Sequence, residues 1–128
     1  LRNFKTTNQS HSCTNVTIDD LFEGKNPDLV LVFDKLLSEI IHWEPTTVGT
    51  SANTIIFTST KAWLIVRPMT KILDIKFYLD ERLTHHKLHK VTLWGRKYAH
   101  HIRVSNEAEL TTEIYKLLRK GFEFTLNH

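Results

Sequence analysis

The chain has 128 residues, 41% hydrophobic and 24% charged, enough for one hydrophobic core without metal or disulfide staples. Its 17 basic and 14 acidic side chains leave a formal charge of +3 with the eight histidines neutral, too small a surplus to mark a nucleic-acid binder. One cysteine, Cys13, excludes an internal disulfide and suits a reducing, cytoplasmic setting, and no apolar run approaches the ~20 residues that span a bilayer.

Residues 1–16 are polar and aperiodic, a loose N-terminal arm; the first residue is Leu1 rather than Met, which fits a piece of a longer protein. Thr17 then reads as a helix N-cap, with Asp20 three residues on and Gly24 as the stop, giving one short turn from Ile18 to Glu23. Asn26-Pro27-Asp28 supplies a second start: a cap, a proline at the first helical position and an acid in the first turn. Leu29, Phe33, Leu36, Leu37 and Ile40 follow on one stripe, opposite Asp34, Lys35, Ser38 and Glu39, so this helix is amphipathic.

After Trp43-Glu44-Pro45 the period becomes two. Residues 54–58 and 62–66 are short and rich in β-formers, and Leu73, Ile75, Phe77 and Leu79 alternate with Asp74, Lys76, Tyr78 and Asp80 as a half-exposed strand. A charged, histidine-bearing connection, 81–87, leads to two runs, 88–94 and 98–104, around Gly95-Arg96-Lys97, which read as a hairpin. Ser105 or Asn106 is expected to cap a last helix with Leu110, Ile114, Leu117 and Leu118 on one face. The class is α+β: an antiparallel sheet of about five to six strands, with an N-terminal and a C-terminal helix packed on one face. Residues 17–124 form a single domain, and 125–128 a C-terminal tail.

Tyr98-Ala99-His100-His101-Ile102-Arg103-Val104 sets the first question about chemistry. On a strand, adjacent histidines point to opposite faces and cannot ligate one ion. His100 falls with Tyr98, Ile102 and Val104 and reads as a hydrogen-bonded core residue; His101 falls with Ala99 and Arg103 on the polar side, exposed to solvent. His85, His86 and His89 make a second cluster, but no Asp, Glu or Cys nearby in sequence completes a metal set, so no metal and no cofactor are expected. His11 and Cys13 form a possible base–thiol pair, although a small buried thiol is the ordinary outcome. The four glycines are dispersed, and G-x-S-x-G, C-x-x-C and H-E-x-x-H are all missing, so no catalytic signature is present.

His-Ser-Cys at 11–13, the run Thr17 to Pro27, residues 33–37, 63–68, 87–91 and 98–105, taken in this order and spacing, resemble the bacterial domain of unknown function family 5655. The likeness extends over nearly all of residues 11–124. It implies the domain boundary and the pairing of elements, and leaves the activity open. His11, Cys13, Arg67, Pro68, His100 and Arg103 stand where the family pattern has the same residue types, and Phe57 and Trp63 occupy its aromatic positions. Ala52 stands where a basic residue is usual and Lys87 where arginine is, which would weaken an anion pocket shared with relatives.

The expected function is a non-catalytic binding or accessory module, working from the sheet face that the helices leave open. Arg67, Lys76, Tyr78, Lys87, His101 and Arg103 are the candidate ligand-binding residues, and the partner is a protein or, weakly and with salt dependence, a nucleic acid. The alternative is a small enzyme in which His11, Cys13 and His100 meet in a cleft.

Overall fold

The structure, a computed structural model, describes residues 16–127. In chain order the elements are α1 (Ile18–Phe22), α2 (Asp28–Ile40), β1 (Thr47–Thr50), β2 (Ile55–Thr58), β3 (Ala62–Pro68), β4 (Leu73–Leu79), β5 (Lys90–Trp94), β6 (Lys97–Val104), a 3-10 turn (Glu107–Glu109) and α3 (Thr112–Leu126). The strands form one antiparallel sheet in the order β1-β2-β3-β4-β6-β5. Only β4 and β5, consecutive in the chain, are not neighbours: residues 80–89 carry the chain to the sheet edge, and the hairpin brings β6 back beside β4.

Local chemistry starts each helix where the caps are. The Thr17 hydroxyl accepts from the Asp20 amide at 3.2 Å and the Asp20 carboxylate accepts from the Thr17 amide at 3.0 Å, a reciprocal cap that fixes the first turn of α1. Gly24 ends that turn at φ +77, a conformation that a side chain would oppose. Before α2, the Asn26 side chain accepts from the Asp28 amide at 2.9 Å, and Pro27 already has helical dihedrals at the boundary. The last helix departs from the sequence expectation. Its cap is Thr111, whose hydroxyl accepts from the Ile114 amide; Ser105 and Asn106 serve the 3-10 turn instead, donating to the Glu109 carboxylate. α3 also runs to Leu126, with Thr125 buried, two residues into the stretch expected as a tail.

Both long helices cover one face of the sheet. Leu29, Val32, Phe33, Leu36 and Ile40 of α2 and Ile114, Leu118 and Phe122 of α3 are buried against Ile55, Phe57, Leu64, Val66, Ile75, Phe77 and Ile102. Each such side chain contributes about 1.5–3 kcal/mol by leaving water. α3 packs tightly on β4 at Gly121, where a Cβ would meet Phe77 atoms at 2.9 and 3.0 Å.

Two features depart from simple alternation. β1 was not among the expected strands; it extends the sheet beyond β2, with Val48 opposite Phe57. In β3 the register steps from Phe57↔Leu64 to Thr58↔Ala62, leaving Trp63 as an extra residue. That bulge gives Trp63 to the helix side, where its ring stacks on Trp43 at 5.9 Å and meets Phe122 edge-on at 5.1 Å. The hairpin between β5 and β6 turns through two residues, Gly95 and Arg96, with Trp94 opposite Lys97 and Gly95 at φ +62.

Candidate anion-binding face of the sheet

The register decides what the open face carries, because residues directly opposite one another in an antiparallel pair share a face. One row across the sheet reads Arg67, Asp74, Arg103; the next reads Ile65, Lys76, His101, Lys90. A third holds Tyr78, Ala99 and Thr92, and a last pair is Lys97 and Trp94. The first two rows line a cavity of about 230 Å³ to which Asn53 and Thr54 also contribute. Four cationic side chains and one carboxylate face this space, so the mild charge of the whole chain conceals a local concentration.

At its floor lies Asp74, whose residue is buried. One carboxylate oxygen accepts from Arg103 Nε at 3.2 Å and the other from His101 Nδ1 at 3.0 Å. A buried carboxylate needs such partners, and with two of them it becomes a fixed acceptor that orients both donors. The His101 side chain is only 14% exposed, so the solvent-facing position expected for it is corrected: the ring lies down on Asp74. Burial pushes its pKa below the usual histidine value and outweighs the hydrogen bond and charge of Asp74, with Lys90 and Lys76 lowering it further. The neutral ring holds its proton on Nδ1 and leaves Nε2 as an acceptor. Among the described residues, Arg67, Lys76 and Lys90 have no carboxylate within ion-pair distance; Arg67 only donates to the Met69 sulfur at 3.7 Å. Farther along the face, the ammonium groups of Lys76 and Lys97 lie 5.7 and 5.3 Å from the centre of the Tyr78 ring.

Of the residues expected to bind a ligand, Arg67, Lys76, His101 and Arg103 come together around this cavity, and Tyr78 lies one row away. Lys87 does not join them. It sits in the β4–β5 connection, where its charge helps lower the pKa of Glu109, which the Ser105 amide chiefly holds down. Lys90, Lys97 and Trp94 belong to the face and were absent from the expected set. Of the alternative catalytic residues, His11 and Cys13 lie outside the described residues. His100 is in the core: its Nδ1 donates to the Tyr98 carbonyl at 3.0 Å and its Nε2 accepts from the Leu83 amide at 3.1 Å, so neither nitrogen is left for catalysis.

A family model described as a domain of unknown function (DUF5655) matches residues 18–125. The chain belongs to this family. The match runs from the first residue of α1 into the last turn of α3, so the whole sheet, including every residue of the charged face, is part of the DUF5655 domain. No curated protein and no solved structure matches the chain. No helix among the described residues is long and apolar enough to cross a membrane.

Proposed function

We propose that this DUF5655 domain is a binding module for phosphate-bearing chains, specifically single-stranded nucleic acid, laid across the open face of the sheet. The observation that carries this reading is the cluster of Arg67, Lys76, Lys90 and Arg103 around one cavity, three of them without a carboxylate partner among the described residues. Such a cluster holds phosphate oxygens through charge and, at the two arginines, through forked donors. The neutral Nε2 of His101 adds an acceptor for a hydroxyl. Tyr78 and Trp94 lie on the same face along β4 and β5, and Trp94 is 64% exposed; flat rings beside a cationic groove are the means by which open sheets stack unpaired bases. An extended protein strand or a free anion would use the cations and leave the rings idle.

Fluorescence anisotropy with a labelled single-stranded oligonucleotide tests this. With three to four phosphates neutralised, log affinity should fall with log salt at a slope of about −2 to −3, so that raising salt from ~50 to ~200 mM weakens binding roughly 20- to 50-fold. Arg67→Ala should flatten that slope by about 0.7, and Tyr78→Ala should cost about 1–3 kcal/mol at fixed salt. Absence of binding at low salt, or binding indifferent to both substitutions, rejects the reading in favour of a protein ligand.

A further inference from the structure

The β4–β5 connection holds a second cluster, on the helix side of the domain. No Asp, Glu or Cys close in sequence completes a set with His85 and His86, but the fold brings them a carboxylate, Glu113, from the first turn of α3. His85 Nε2 lies 3.0 Å from one Glu113 oxygen and His86 Nε2 lies 3.9 Å from the other. The two imidazoles stack at 4.7 Å with 16° between their planes. One nitrogen or oxygen from each of the three residues falls within 4.8 Å of the other two. The alternation that separates His100 from His101 does not apply here, because the backbone at 85 and 86 is a turn rather than a strand.

We propose that His85, His86 and Glu113 form a binding site for a divalent transition-metal ion, with zinc the ion that fits best and water completing the tetrahedron. Two imidazoles and a carboxylate are a borderline-soft set that favours zinc over magnesium or calcium, which take oxygen ligands almost alone. Zinc bonds of about 2.0–2.2 Å in a tetrahedron separate ligand atoms by about 3.4 Å. His85 Nε2 and its Glu113 oxygen are already 3.0 Å apart, and one atom from each of the three residues lies within 4.8 Å of the others, so small side-chain shifts close the set. Three protein ligands with one open position are the arrangement of accessible rather than closed structural zinc. Glu113 is anchored on a helix, and His86 is exposed enough to swing onto the ion. One rearrangement is required. His85 Nδ1 accepts from the Lys87 amide at 3.1 Å, which puts the neutral ring's proton on Nε2, facing Glu113. Ligation through Nε2 moves that proton to Nδ1 and hands the Lys87 amide to water, which reaches it because Lys87 is exposed. The bound ion would tie the connection to the start of α3, leaving the open sheet face untouched.

Titration of the tag-free, metal-stripped protein with zinc, and with cobalt(II) as a visible reporter, tests the assignment. One equivalent should bind, cobalt should give the absorption of a tetrahedral site, and His86→Ala and Glu113→Gln should each weaken binding about tenfold or more. Both positions are exposed, and an unchanged circular dichroism spectrum would show that the variants fold. Failure of wild type to bind sub-millimolar zinc overturns the proposal. So does binding that survives both substitutions, which would belong to histidines elsewhere in the chain. Neither outcome bears on oligonucleotide binding by the open face.

Discussion

The imidazole of His100 lies stacked on the ring of Phe77, with centroids 5.3 Å apart and planes 18° from parallel. It fills a fully buried position in β6 while spanning two backbone groups, the Tyr98 carbonyl and the Leu83 amide. The next residue, His101, is turned to the other face and bonded to Asp74. His100→Ala should therefore cost about 3 kcal/mol, from the void beside Phe77 and two abandoned backbone partners. His101→Ala removes one hydrogen bond to a carboxylate that Arg103 still holds, a loss of about 1 kcal/mol. Urea midpoints of the two variants, at matched slopes, give the order directly. A larger loss at His101 would mean that the sheet rests on its open-face network more than on the core.

Acid should destabilise the domain through these two rings. Burial pushes the His100 pKa down, against the Tyr98 hydrogen bond, with Arg82 and His101 acting in the same direction and Glu81 opposing; His101 is lowered by burial as well. When the folded pKa lies below the unfolded value of about 6.5, the unfolded chain binds more protons in between. The stability from neutral histidine is thus fully present above pH ~6.5 and is lost as pH falls from there through the folded pKa. Unfolding midpoints should decline from pH 7.5 to pH 5.5, and His100→Asn should decline less. A midpoint independent of pH across that window would show both rings charging freely in the folded state.

The helical stripe of α2 and the alternation of β4 were legible because each repeats over a dozen or so residues or a full strand and depends only on neighbours in sequence. β1 was not: four residues with Gly49 in the middle give no alternation to count, although Thr46, Thr47, Val48 and Thr50 are β-formers. Lys90 was missed for a geometric reason. A three-residue turn at 95–97 pairs position 90 with Ile102 and puts it on the helix side, whereas the actual two-residue turn pairs it with His101 on the open face. Asp74 looked like the polar half of an exposed alternation, and only the pairing of β4 with β6 shows that Arg103 and His101 enclose it. The cluster of His85, His86 and Glu113 depends on a contact between distant segments that no spacing rule anticipates.

Gly121→Ala sets two effects against each other. Alanine in a helix interior is worth about 1 kcal/mol over glycine. Here, however, the new Cβ would sit 2.9 Å from Phe77 Cδ2 and 3.0 Å from Phe77 Cβ, and the Phe77 ring is itself pinned beneath His100. Overpacking a core of this kind typically costs about 1–3 kcal/mol, so the net change should be destabilising, on the order of 1 kcal/mol. Thermal unfolding of the variant should come several degrees lower. A rise in the midpoint would mean that α3 slides on β4 with little resistance.

Asp74→Asn separates the two roles of the buried carboxylate. The amide keeps the shape, accepts from Arg103 through its oxygen, and then presents an N–H group where His101 now donates. His101 can answer by moving its proton to Nε2, which restores a hydrogen bond but turns the acceptor facing the cavity into a donor. The strong charge-assisted bonds are gone, so stability should fall by about 2 kcal/mol. Oligonucleotide affinity at low salt should move the other way. Removing the one negative charge from the floor of a cavity lined by Arg67, Lys76, Lys90 and Arg103 raises its potential, and a charge a few ångströms from the ligand at the protein surface is worth on the order of 1 kcal/mol. Binding should tighten roughly three- to tenfold, and the salt slope should steepen. If the variant folds and binds more weakly than wild type, Asp74 acts by aiming Arg103 and His101 at the ligand, and simple charge density does not govern this face.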